Sequence, residues 1–341
     1  MLNVGIVGHG YSAKIFHIPL LNQARLFKLV GVSTSRPLDV QRDNPSLETF
    51  TTAGQLIESS NIDVVIITAP NDAHFTLAKH CLEKGKHVVV EKPMTTTVDE
   101  AQALSQLAKN RDLSLSVFHN RRWDGDFLTV RQLITQGRLG EIRYFESHFD
   151  RYRPTVKSRW KEDGGPGSGT WFDLGAHLLD QSIMLFGMPS ALSAQCLNMR
   201  ENAKTTDYFH VILHYPQCEV VLHSSSLFAA PNPRFRIEGT RATYIKYGLD
   251  PQESQLQRQL PPSDSAFGVE QKSQYGTLYS AENAELIATL AGRYSEYYTQ
   301  LADAILHGAP NPVTSEEASQ VISLLEAAEI SSHSGQRHHI R

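Results

Sequence analysis

The stretch Gly8-His9-Gly10-Tyr11-Ser12-Ala13 follows directly on the apolar run Leu2–Val7, and that juxtaposition leaves few folds open. Gly8 permits a tight turn, Gly10 lets backbone approach a ligand, and Ala13 stands where helix and strand must pack closely. Such a turn between a strand and a helix N-terminus is a cradle for a pyrophosphate. The surrounding sequence agrees. Runs at 2–7, 27–33, 62–68, 87–91 and 113–118 are apolar throughout rather than alternating, as strands buried on both faces require. Amphipathic stretches at 73–83 and 98–109 lie between them, with a short extended piece near Thr49. The pattern predicts a doubly wound α/β domain of the Rossmann kind over residues 1–120, with ligands gathered at the carboxyl ends of its parallel strands.

After Asn120 the pattern changes. A helix at 127–136 precedes a strand at 142–149, a glycine-rich stretch and a helix at 171–186. Strands at 191–199, 208–215, 219–227, 234–238 and 243–247 then follow one another without helices between them. This grammar predicts an α+β domain over residues 121–341 with a large, mostly antiparallel open sheet. Residues 249–292 are polar and carry no clear element. Helices are expected at 294–306 and 316–331, the second opened by a Thr314-x-x-Glu317 capping box after Pro312. One face of the sheet has room for helices, and the other is available to a second subunit, so a homodimer or homotetramer is expected.

A net charge of -4 over 341 residues and a pI near 6.4 give no electrostatic case for nucleic acid or an anionic membrane. Cys81, Cys196 and Cys218 are scattered and odd in number, which reads as reduced thiols. The chain enters a strand at once, without a secretion leader, and no apolar run approaches the ~20 residues that span a bilayer. A soluble, cytoplasmic protein acting on a small molecule is expected, with no metal ligands.

The end of the second strand bears on which dinucleotide would bind. An NAD site carries Asp or Glu there to take the ribose hydroxyls, whereas this chain reads Val32-Ser33-Thr34-Ser35-Arg36. Thr34, Ser35 and Arg36 suit a 2′-phosphate, so NADP is favoured, with NAD possible. Thr68-Ala69-Pro70-Asn71-Asp72-Ala73-His74 puts a stiffened turn at the same edge, where Asn71 meets the cofactor or caps a helix and His74 serves as a structural partner or reaches the ribose. Glu91-Lys92-Pro93 delivers a lysine to that edge. If burial or nearby positive charge lowers its pKa, Lys92 can take a hydroxyl proton near neutral pH; otherwise it neutralises phosphates or pairs with Glu91. In the second domain, Asp173, His177 and Asp180 fall within about 60° of one another on an ideal helix. His177 suits proton exchange with a substrate hydroxyl, Asp173 suits tuning it, and Asp180 suits accepting from a neighbouring hydroxyl.

In the order and spacing of these motifs the chain resembles the glucose-fructose oxidoreductase and inositol dehydrogenase family, from about Asn3 to Ser332. The resemblance rests on Gly8-x-Gly10, 68–71 with His74, Glu91-Lys92-Pro93 and Asp173-x-Gly175-x-His177. Segments 118–127, 151–154, Arg159-Trp160 and 244–252 look most like its NADP-dependent scyllo-inositol dehydrogenase branch. The resemblance implies a Lys92, Asp173 and His177 catalytic set. The expected cofactor site draws on Gly8, Gly10, Tyr11, Ser12, Ala13, Thr34, Ser35, Arg36, Thr68, Pro70, Asn71, His74, Glu91, Lys92, Asn120 and Trp160. The substrate site would use Lys92, Asn120, Tyr152, Asp173, His177 and Asp180, with Arg121 and Arg159 nearby. The expected substrate is a cyclic polyol; a sugar, a non-catalytic dinucleotide sensor and a glycosidase using held cofactor are the alternatives.

Overall fold

The computed structural model describes residues 1–158 and 160–340; Arg159, Arg341 and the Trp160 side chain lie outside the described residues. Six parallel strands form the first sheet: β1 Leu2–Val7, β2 Phe27–Ser33, β3 Glu48–Phe50, β4 Val64–Ile67, β5 His87–Val90 and β6 Leu115–Val117, in the order β3-β2-β1-β4-β5-β6. Their apolar residues pair directly, Val4 with Val64 and Val88 with Leu115. Val64–Ile67 is buried along its whole length, as a strand covered on both faces must be. The order reverses between β1 and β4, and a doubly wound sheet opens a ligand crevice at such a switch point.

The chain divides into two compact units. The first contains Met1–Asn120 together with Gln252–Phe267 and Arg293–Ser319; the second contains the remaining segments. A simple division at residue 120 therefore misses two returning segments, which have a physical reason to return. The helix Ser295–His307 brings Tyr297 and Tyr298 into contact with Phe118, with ring centroids 5.0 and 6.1 Å away. Tyr297 donates to Ser116 at 2.8 Å, a polar anchor that an aromatic side chain needs when buried. The polar stretch left unassigned by sequence contains the helix Gln252–Gln257, whose Glu253 accepts from the Tyr11 hydroxyl at 3.0 Å.

In the second unit, nine strands form one sheet: β7 Ile142–His148, β8 Ala191–Leu197, β9 Tyr208–His214, β10 Glu219–Ser225, β11 Pro233–Gly239, β12 Thr243–Tyr247, β13 Gly276–Tyr279, β14 Ala284–Ile287 and β15 His338–His339. Among the described strands of this sheet only the β7 and β10 pair is parallel. β9 alternates strictly, burying Phe209, Val211 and Leu213. β13 and β14 are a short hairpin at one edge, inside the polar stretch whose pattern gave no strand. The helix expected at 171–186 is two pieces, a π-helical turn Trp171–Gly175 and an α-helix Ala176–Phe186. Among the described residues no helix is long and apolar enough to cross a membrane.

The capping box at the last helix, Ser315–Ser334, is reciprocal. Glu317 N–H donates to Thr314 Oγ1 at 3.1 Å, and Thr314 N–H donates to Glu317 Oε2 at 2.9 Å. Thr314→Ala should therefore cost about 1 kcal/mol in chemical denaturation, and Thr314→Ser should recover most of it.

Candidate active site

Three strand ends meet at the crevice of the first unit. The Gly8 N–H donates to Ser33 O at 2.9 Å and Thr68 N–H to Val7 O at 2.9 Å, stitching the ends of β2 and β4 to the glycine turn. Gly8 has φ +98°, and a Cβ there would lie 2.7 Å from Thr68 Oγ1, so the turn excludes any side chain. A Cβ at Gly10 would meet nothing within 4 Å, leaving open space above the backbone where a phosphate would approach. The helix that follows is wider than expected, since Ala13–His17 is a π-helical turn. At the end of β2, Arg36 N–H donates to Thr34 Oγ1 at 3.1 Å, and the exposed Arg36 guanidinium lies 3.7 Å from Asp39.

Beside this edge stands a residue the sequence reading passed over. His9 is only 3 % exposed, yet neither ring nitrogen has a hydrogen-bond partner among the described residues. Its burial and then the charge of Lys14 lower its pKa, while Asp43 and Asp39 oppose this and Arg36 adds to it. It borders a cleft of about 470 Å³ together with Lys14 and Asp43. A buried imidazole without partners is costly, and an anionic oxygen supplies what it lacks. The signal was present in the sequence as a histidine in the variable position between two turn glycines.

Glu91 organises the opposite rim. Its carboxylate accepts from the Ser12 hydroxyl, faces His17 Nε2 at 3.0 Å and accepts from Lys92 N–H at 3.2 Å. His17 is fully buried and holds Tyr298 through its other nitrogen at 2.5 Å. Burial alone would raise the Glu91 pKa, but His17, Ser12 and Lys92 overcome that and lower it from 4.5 to about 2. The side chains of Ser12 and Glu91 are thus spent on each other, which corrects their expected use as cofactor ligands: they position the loop. His74 needs the same correction. Its ring is wholly buried between Pro93 O at 2.8 Å and Ala69 O at 2.9 Å, tying two turns together with no edge left for a ribose. Asn71 opens a 3-10 turn, 8 % exposed; the helix His74–Glu83 begins without a side-chain cap, so Asn71 is not its cap. Lys92 is half-buried at the end of β5, directly between Glu91 and the turn held by His74.

In the second unit, Asp173 lies in the π-helical turn and accepts from Lys161 Nζ at 2.7 Å. The turn closes over five residues rather than four, so angles computed for an ideal α-helix do not describe the spacing of Asp173, His177 and Asp180. Asp180 goes elsewhere. Arg122 grips it from two nitrogens, Nε at 2.9 Å and Nη2 at 2.6 Å, with Asp180 2 % and Arg122 5 % exposed. Both oxygens serve this bidentate pair, which corrects its expected role as a substrate acceptor. His177, 6 % exposed, meets the edge of Phe149 at 6.4 Å. The same ring lies under the guanidinium groups of Arg234 at 4.2 Å and Arg121 at 4.9 Å. Asn120 is buried at the end of the first unit, and Tyr152 is exposed and bridged to Leu227. Lys161 gave no sequence signal, since only tertiary folding brings it to Asp173.

The lowered Glu91 pKa fixes a pH dependence. The stabilisation is complete above the ordinary value of 4.5 and is lost as pH falls through about 2. Glu91→Gln should cost on the order of 2–3 kcal/mol in denaturant unfolding at pH 7, with a gap to wild type that narrows below pH 4.5.

Residues 2–119 match the model described as "Oxidoreductase family, NAD-binding Rossmann fold", and residues 131–340 match "Oxidoreductase family, C-terminal alpha/beta domain". The chain is 46 % identical to the oxidoreductase YdgJ of Escherichia coli K12 over 95 % of its length and 94 % of that protein. It is 41 % identical to scyllo-inositol 2-dehydrogenase (NADP(+)) IolW of Bacillus subtilis over 96 % of its length and 92 % of that protein. Among solved structures, the oxidoreductase yvaA of Bacillus subtilis superimposes with a TM-score of 0.97 at 40 % identity, covering 100 % of this chain and 98 % of the other. Two family models on consecutive segments, a switch-point crevice with a glycine turn and full-length relatives lead to one conclusion: this chain belongs to the Gfo/Idh/MocA oxidoreductase family.

Proposed function

We propose that the protein is an NADP(H)-dependent dehydrogenase of a cyclic polyol, with scyllo-inositol as the first substrate to try and Lys92, Asp173 and His177 as its acid-base set. The observation that carries the reading is Lys92 at the carboxyl end of β5, one strand from the switch point, on a turn fixed by Glu91 and His74. Likeness to an NADP-linked scyllo-inositol dehydrogenase over 96 % of the chain supports the substrate class.

A nicotinamide dinucleotide fits the crevice on three counts: the side-chain-free turn at Gly8, the open space over Gly10, and the unpartnered His9. When bound, it supplies the hydride acceptor. Backbone at Gly8, Gly10 and Ala13 would hold the pyrophosphate, with Thr68, Pro70 and Asn71 along the rim. Thr34, Ser35 and Arg36 would take the 2′-phosphate, and His9 joins them in this reading. Lys92 and His177 hold the substrate hydroxyl and move its proton, and Asp173, itself steadied by Lys161, sets the orientation of His177. The reading includes a homodimer or homotetramer joined through the second sheet, and a cytoplasmic setting that suits three free thiols. Oxidation of a ring hydroxyl on a sugar is a second reading, favoured by 28 % identity over 224 residues to glucose-6-phosphate 3-dehydrogenase of Bacillus subtilis.

Following absorbance of the reduced cofactor across inositols and sugars, with NADP and NAD, separates these readings. Lys92→Ala should lower kcat by roughly 10²- to 10⁴-fold while NADP affinity holds; unchanged turnover removes Lys92 from the mechanism. Arg36→Ala should raise KM for NADP and leave KM for NAD alone, and an equal loss for both contradicts the 2′-phosphate assignment.

A further inference from the structure

The face of the second sheet carries a cluster that the dehydrogenase chemistry does not use. In the paired strands β7 and β10, His148 stands opposite His223. Their Nδ1 atoms face each other at 3.2 Å. The Asp150 carboxylate reaches both, at 3.1 Å from His148 Nδ1 and 2.9 Å from His223 Nδ1. Three electron-pair donors thus converge within a few ångströms, on side chains 9 %, 14 % and 6 % exposed. Tetrahedral zinc with bonds near 2.0–2.2 Å has ligand atoms about 3.3 Å apart; the two imidazole nitrogens lie 3.2 Å apart, with Asp150 Oδ2 3.1 Å from that of His148 and Asp150 Oδ1 2.9 Å from that of His223.

We propose that His148, His223 and Asp150 form a binding site for a divalent transition-metal ion of the zinc class. The groups around them have the arrangement such a site requires. His148 presents its other nitrogen, Nε2, to Glu146 at 2.8 Å, the carboxylate contact that aims a metal-bound imidazole and fixes its tautomer. Asp150 Oδ1 also accepts from Ser225 N–H at 2.7 Å, which sets the carboxylate in place. Asp150 and Glu146 together balance a divalent charge. Asn232 lies over the same atoms with its amide nitrogen 2.8 Å from His148 Nδ1. That nitrogen also donates to Asp150 Oδ2 at 2.5 Å, so with an ion bound the amide would turn over for its oxygen to serve as fourth donor. Two imidazoles with one carboxylate select zinc, nickel or copper over magnesium and calcium, which prefer all-oxygen cages. His210, whose ring lies 6.1 Å from that of His223, extends the row on β9 without joining the donor set. The ion would clamp β7 to β10 and to the turn entering β11.

The test uses the full chain without a histidine tag. After treatment with chelator, Co²⁺ and Zn²⁺ are titrated, the visible ligand-field bands of tetrahedral Co²⁺ are recorded, and bound metal is counted by mass spectrometry after gel filtration. The proposal expects one equivalent per chain, a tetrahedral Co²⁺ spectrum and a rise in Tm with Zn²⁺. His223→Ala should lose stoichiometric binding, and Glu146→Gln should weaken it by about 10- to 100-fold. Should His223→Ala fail to fold, the near-isosteric Asp150→Asn takes its place, read by the Co²⁺ spectrum. Wild-type protein that retains no metal, binds it without stoichiometry, or binds it equally well in the variants overturns the proposal.

Discussion

One buried carboxylate does most to hold the candidate site of the first unit in shape. Glu91 closes β5 and is engaged by Ser12 from the glycine turn and by His17 from the helix behind it. An ionised carboxyl with a side chain only 14 % exposed is tolerable only when its lone pairs are satisfied, so these contacts are mutually obligatory. Because Lys92 follows immediately, whatever fixes Glu91 fixes the backbone that presents the lysine. The chain reaches further still: His17 is held by Tyr298, which explains why the segment Arg293–Ser319, far beyond β5 in sequence, returns to the first unit.

The second unit solves a similar problem with arginines. Arg200 binds Asp207 at 2.9 Å and Glu162 at 3.2 Å, all three buried, and so anchors the loop from which Lys161 reaches Asp173. Arg122 takes Asp180, while Arg234 joins Gln181 at 2.7 Å and lies over Phe149 beside His177. Removing one partner of such a pair leaves an uncompensated charge, costing about 3–5 kcal/mol. These pairs set where Asp173 and His177 stand without themselves needing to touch a ligand.

Much of this architecture can be read from sequence because it follows from local patterns. Apolar runs mark the parallel strands, and short strands following one another without helices mark the second sheet. Thr314 and Glu317 gave a helix start that the structure reproduces bond for bond. The failures have a common physical origin. Asp180, Ser12, Glu91 and His74 were read as site groups from their place in motifs, but their partners are remote residues or backbone carbonyls that no local pattern reveals. The π-helical turns at Ala13–His17 and Trp171–Gly175 defeat arithmetic based on an α-helix. The helix Gln252–Gln257 carries no apolar stripe; its buried glutamines hold it instead, Gln252 accepting from Tyr294 N–H at 2.8 Å and Gln255 donating to Ala266 O at 3.0 Å.

The proposed dehydrogenase chemistry requires hydride to leave a ring carbon for the cofactor while protein side chains handle only the proton. Incubating the enzyme and NADP⁺ with carbon-deuterated scyllo-inositol, then examining the reduced cofactor by proton NMR, tests this most directly. The account predicts deuterium at C4 of the nicotinamide ring, in equal amount to the ketone formed. Reduced cofactor without the label, or label released to water, would contradict it.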